Sequence, residues 1–243
     1  MSFFILCWWC VMPLGKVLSV FSSEVDSKII EGIIKAVLLW YFIDTVLFLF
    51  VGLSETNLQT IFTGIFLIFW YLATTTLFRL SSKRTESLSK NFSKWYLPLI
   101  LLLSVLEETL VFLNGGGLGG KAESLTQDLL LAVPVFLGIA LGILVLNHWV
   151  PLSSGEIFVI TSIQGFIIEL VFSGNLILAW FLGGPALGIY GMMMAAVSKE
   201  KPKEQEETLA KHVLIVLIVG TVLCFGGAIL GAILGDTIYK AIA

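Results

Sequence analysis

Apolar runs of about twenty residues recur along almost the whole chain, and a helix needs roughly 20 such residues to cross the hydrocarbon core of a bilayer. The runs are roughly Phe3–Phe21, Ile33–Leu53, Leu58–Leu80, Tyr96–Leu113, Leu129–Leu146, Ile157–Ser173, Leu176–Val197 and Val213–Leu234. Apolar residues follow one another within them without the alternation of a barrel strand, so the backbone satisfies itself as helix. Charged residues make up 13% of the 243, against roughly 25% in a soluble domain. The sequence therefore predicts an all-α, polytopic transmembrane helical bundle of about eight spans, one integral membrane domain over 1–243, placed in the cell membrane.

The basic residues assign the sides. Arg79, Lys83, Arg84, Lys90 and Lys94 fall around the third loop, Lys199, Lys201, Lys203 and Lys211 in the seventh, and Lys28 and Lys35 around the first. Loops of the other parity are nearly empty, with Lys121 alone after span four. Cytoplasmic loops collect Lys and Arg, so an eight-span chain has both termini on the non-cytosolic side. The linker Ser198–Lys211 also holds Glu200, Glu204, Glu206 and Glu207, which reads as a solvated segment.

The net charge of −3 gives no reason to expect a nucleic-acid partner. No cofactor or metal is expected. Cys7 and Cys10 form a CxxC inside an apolar run beside Trp8 and Trp9, with no second Cys or His pair, and read as packing residues. Residues 1–21 lack a basic leader segment and a clear cleavage site.

Carboxylates are the exception inside the spans. Asp44, Glu107, Glu108 and Glu169 sit well within spans two, four and six, where Gln164 is a further polar residue. An ionisable group there costs several kcal/mol unless neutralised, hydrated or paired, which makes function the default hypothesis. Counted inward from the cytosolic side at ~1.5 Å per residue, Asp44 lies roughly 12–16 Å deep and the three Glu roughly 16–20 Å deep. No Lys or Arg shares that depth. Such carboxyls must be protonated, share protons, bind a cation or face water. Adjacent Glu107 and Glu108 project about 100° apart on a helix, which lets one line a cavity while the other orients it. Helix-to-helix hydrogen bonding by a neutral acid is the plainer reading.

His148 ends span five beside Trp149, a pairing common at membrane interfaces, and His212 opens span eight. The run Asn114–Ala122 formally contains GxGxxG, yet a membrane span precedes it where a phosphate loop needs a strand, so it reads as a loop. Gly183-Gly184-Pro185 is expected to loosen or kink span seven. In span eight, Gly227, Gly231 and Gly235 recur every fourth residue, a spacing that lets backbones approach. Packing inside the bundle is one reading of that face; a homo-oligomer is the other.

Glu107-Glu108, then His148 at the end of the next span, then Gly165 and Ser173-Gly174-Asn175-Leu176 together resemble the CAAX-protease and bacteriocin-processing family of glutamic intramembrane proteases. The resemblance covers roughly 94–196 and implies a CAAX-protease-like core. It further implies an intramembrane endopeptidase, with Glu107 and Glu108 activating water, His148 as a catalytic partner and a membrane peptide or protein as substrate. Glu107-Glu108 matches the start of EExxxR and His148 the end of FxxxH. Phe112 stands in place of that Arg, Leu144 in place of that Phe, and Gly183–Leu187 contains neither residue of the closing HxxxN. The depth count also puts His148 on the order of 15 Å from Glu108 along the membrane normal. An inactive relative, a proton- or cation-coupled transporter built on the carboxylates, and a non-catalytic membrane scaffold stand beside the active protease.

Overall fold

A computed structural model describes residues 28–83, 92–115, 122–150, 152–173, 176–196 and 209–242. All regular structure among them is helical, in seven helices: α1 (Lys28–Ser54), α2 (Leu58–Lys83), α3 (Phe92–Leu113), α4 (Leu125–Trp149), α5 (Ser154–Ser173), α6 (Leu176–Ala196) and α7 (Leu209–Ile242). Five of them, α1, α2, α3, α4 and α7, contain stretches long and apolar enough to cross a membrane, and Ser154–Ile168 of α5 is a shorter apolar helix. The chain is a multi-pass integral membrane protein. Span one with Cys7 and Cys10, residues 116–121 of the glycine-rich run and residues 198–208 of the charged linker lie outside the described residues.

The helix ends have local causes. α1 starts five residues before the apolar run, where Lys35 reaches back to Glu31 one turn earlier, a pair that supports a helix. Ser124 caps α4, its hydroxyl accepting from the Gln127 N–H at 3.2 Å. Ser153 and Glu156 form a reciprocal cap on α5. The Glu156 carboxylate accepts from the Ser153 N–H at 2.7 Å, and the Ser153 hydroxyl accepts from the Glu156 N–H at 3.2 Å, so donors left open by a helix start are satisfied in pairs. α7 runs eight residues past the expected Leu234. Gly235 does not end it, and Lys240 and Asp236 pair at 2.7 Å across the next turn.

Side-chain contacts fix the packing directions. The Tyr41 hydroxyl donates to the Leu67 carbonyl at 2.6 Å, and Gly52 faces Ile61, so α1 and α2 are antiparallel. Tyr96 reaches the Met194 sulfur at 3.6 Å from the start of α3 to the end of α6. Gly165 packs on Ala186 and Tyr190, setting α5 antiparallel to α6. Gln164 Nε2 donates to the Thr221 carbonyl at 2.8 Å. α6 stands at the hub, touching α1, α2, α3 and α5.

The longest seam joins α4 to α7, and it is glycine on backbone. A Cβ on Gly138 would land on the Gly227 carbonyl, and a Cβ on Gly227 on the Gly138 carbonyl. Gly231 lies against the Pro134 carbonyl and Gly235 against that of Leu130. Pro134 removes the helix donor that the Leu130 carbonyl would have used, and the Gly235 Cα fills that place. The face of α7 that carries Gly227, Gly231 and Gly235 is thus packed within the chain.

α6 differs from expectation. Its helix continues unbroken through Gly183, Gly184 and Pro185. One proline removes one hydrogen bond, and neighbouring helices hold the rest of a buried turn in place.

Candidate functional site

The carboxylates sit on inward stripes. On α3 the buried residues are Tyr96, Ile100, Leu103, Ser104, Glu107 and Glu108, while Leu101, Leu102, Val105 and Leu106 face outward. That is a helical period of one face. Both glutamates lie on it, Glu107 at 6% exposure and Glu108 at 8%. On α1 the stripe runs through Ile34, Val37, Leu38, Tyr41 and Asp44, with Asp44 at 5% exposure. No carboxyl on these two stripes faces lipid.

Helix registers set their relative level. Asp44 Oδ2 rests where a Cβ of Gly184 would stand. Glu107 lies eleven residues past Tyr96, and Gly183 lies eleven before Met194, the Tyr96 partner. At a common rise per residue, Glu107 is therefore level with Gly183. The Glu169 backbone lies four residues past Gly165, which faces the turn from Ala186 to Tyr190, and the same counting brings it level with Gly184. The side chain of Glu169 is outside the described residues. Asp44, Glu107 and Glu108 thus lie in one tier by height, level with Gly183-Gly184-Pro185, with the Glu169 backbone at the same height.

Buried polar groups occur in this tier and one to two turns from it along α5. Asp44 Oδ2 is buried and has no hydrogen-bond partner among the described residues. Gln164 is fully buried, its amide nitrogen bonded to Thr221 and its Oε1 without a partner among the described residues. Ser162 on α5 has a buried Oγ in the same condition and lies against Gly191. Among the described residues no three His, Cys, Asp or Glu side chains converge as a metal-binding group.

His148 is elsewhere. It is exposed in the last turn of α4. Gly138 meets Gly227, and Gln164 meets Thr221. Those two contacts set Gly138 level with the Glu169 backbone. His148, ten residues further along α4, is then about 15 Å from the tier along the helix. A catalytic pair needs hydrogen-bond reach, directly or through one water, and this arrangement does not bring His148 to Glu107 or Glu108. His212 belongs to α7, with its side chain outside the described residues.

Two buried acids were not singled out from the sequence. Asp128, fully buried in the first turn of α4, lies near a helix start, which no depth count through a span would flag. Glu156 is the α5 cap, and its signal was present as Ser-x-x-Glu before an apolar run. Comparison of the chain with protein-family models, with curated proteins and with solved structures finds no match.

Proposed function

We propose that this protein is a proton-coupled membrane transporter whose mid-depth carboxyls take up and release protons. The observation that carries this reading is the tier itself. Asp44, Glu107 and Glu108 are buried, inward-facing and level with one another, and Asp44 Oδ2 has no hydrogen-bond partner among the described residues. Carboxyls held toward a bundle interior mark proton and ion pathways. A proton needs one carboxyl, the minimum that this tier supplies. The tier lies level with a Gly-Gly-Pro turn of the hub helix, where Asp44 packs on Gly184, and transporter sites commonly lie near mid-depth. The working topology is eight spans in the cell membrane, with the Lys-rich loops in the cytosol and both termini outside.

Infrared titration of the reconstituted protein tests the proposal. Wild type is expected to give a protonated-carboxyl band that falls as pH rises, reduced in Asp44→Asn, Glu107→Gln or Glu108→Gln. A spectrum without any such band, or one that all three substitutions leave intact, refutes it.

A second reading is an intramembrane endopeptidase with a CAAX-protease-like core over 94–196, acting on a membrane peptide. It is favoured by the inward placement of both Glu107 and Glu108, and it requires a partner other than His148 in this conformation. Its test is cleavage of a co-expressed membrane peptide, abolished by Glu108→Ala. Oligomers would use a surface other than the occupied glycine seam of α7.

A further inference from the structure

Pro185 lies inside α6 and has no N–H, so the carbonyl of Phe181 lacks the donor that a helix normally supplies one turn on. In an α-helix a carbonyl stands beside the residues three and four positions later, which puts the Phe181 carbonyl on the same turn as Gly184. At that turn α1 comes closest. Asp44 Oδ2 occupies the place of a Gly184 Cβ, and Trp40 Cδ1 is 2.7 Å and the Trp40 carbonyl carbon 3.0 Å from the same point. One turn on, Gly188 admits the Tyr41 ring, with Tyr41 Cε2 at 3.0 Å from its Cβ position. The carboxyl has a backbone hydrogen bond from Gly184, while its buried Oδ2 has no partner among the described residues. An acceptor short of its helix donor and a carboxyl oxygen, Oδ2, without a partner among the described residues thus share one turn of the seam.

The two protonation states differ there in kind. A carboxylic acid has the O–H that the carbonyl lacks, whereas a carboxylate sets one acceptor against another. We infer that Asp44 is the proton-carrying latch between α1 and α6. When protonated, its O–H donates to the Phe181 carbonyl. When ionised, having given its proton to water, it parts the two helices at Gly184, and Gly183-Gly184-Pro185 is where α6 yields.

The titratable groups around the latch are few. Tyr41 stands on α1 itself, where its hydroxyl is committed to Leu67. α2 brings Tyr71, α6 brings Tyr190, α3 brings Glu107 and Glu108 at the same level, and the Glu169 backbone of α5 lies at that height with its side chain outside the described residues. No Lys, Arg or His of the described residues lies within about two turns of that level. A ligand that binds one state better shifts the population toward it, and here the ligand is the proton.

This inference rests on the proton-binding reading of the tier, and the experiment separates the two. Infrared titration of the full-length protein is repeated on Asp44→Asn and Pro185→Ala. The Asp44 band is expected at the frequency of a hydrogen-bonded acid and absent in Asp44→Asn. In Pro185→Ala, where α6 regains its own donor, the band should move to the frequency of a free acid. A spectrum from which Asp44→Asn removes no component, or an Asp44 component that Pro185→Ala leaves unmoved, overturns the latch while leaving proton binding by the tier intact.

Seam opening has its own readout. Val37 lies on the inward stripe of α1. Its cysteine variant, in a chain with Cys7, Cys10 and Cys224 replaced by Ala, is labelled by a thiol reagent and normalised to Ile29→Cys, an exposed position. Normalised labelling should rise with pH and lose that rise when Asp44→Asn is added. The same rise with Asn at position 44 overturns the inference.

Discussion

Gly138 and Gly227 meet backbone to backbone, each occupying the space that a Cβ on the other would need. This contact joins α4 to α7 at the height of the carboxylate tier. Such seams replace the hydrophobic drive that helices lack in lipid with close packing and weak Cα–H contacts to carbonyls.

Alanine at either glycine should therefore destabilise the protein. Overpacking costs roughly 1–3 kcal/mol, and here the obstacle is backbone that cannot rotate away. Gly32→Ala and Gly226→Ala are the controls, since a Cβ at either meets nothing within 4 Å. They should be neutral or stabilise by up to ~1 kcal/mol through helix propensity. Thermal unfolding of the purified protein in detergent checks both expectations. Equal shifts for Gly138→Ala and Gly226→Ala would contradict the seam.

Much of this was legible from the residues. Asp44, Glu107 and Glu108 stood out because acids inside apolar runs are costly, and simple counting gave a common depth that helix registers reproduce. Other features were not. The inward facing of both Glu107 and Glu108 depends on α3 packing, which a run of Leu on either side does not announce. The packing of Gly227, Gly231 and Gly235 on α4 depends on Gly138 and Pro134, distant in sequence. The continuity of α6 through Pro185 is a tertiary effect that overrides a local helix breaker.

The α5 cap gives a second stability prediction. Ser153→Ala or Glu156→Ala removes one side of a reciprocal pair and should cost about 1 kcal/mol. The double variant should cost less than the sum of the two, because both singles break the same motif. Thermal midpoints of the four proteins form the cycle, and strict additivity would show that the two residues act separately.

His148→Ala separates the two functional readings. His148 is exposed and about 15 Å along the helix from the tier. The substitution should leave the carboxyl infrared bands and any peptide cleavage unchanged. If it abolishes cleavage that Glu108→Ala also abolishes, the two residues meet in a conformation other than this one, and the protease reading takes precedence.

Topology is open to direct labelling. Single cysteines introduced at Glu86 and Glu204, in the two Lys-rich loops, should be protected from an impermeant thiol reagent in intact cells. A cysteine at Glu123 should react. Labelling of Glu86→Cys and Glu123→Cys from the same side would contradict the antiparallel crossing of α3 and the orientation assigned to it.

The central claim is that the tier of carboxyls carries protons through the membrane. Its most direct test is proton flux into proteoliposomes under an imposed pH gradient, followed with a trapped pH-sensitive dye. Wild-type protein should dissipate the gradient faster than empty vesicles, and the Asp44→Asn, Glu107→Gln, Glu108→Gln triple variant should match empty vesicles. Equal flux from wild type and triple variant, or none above empty vesicles from either, would contradict it.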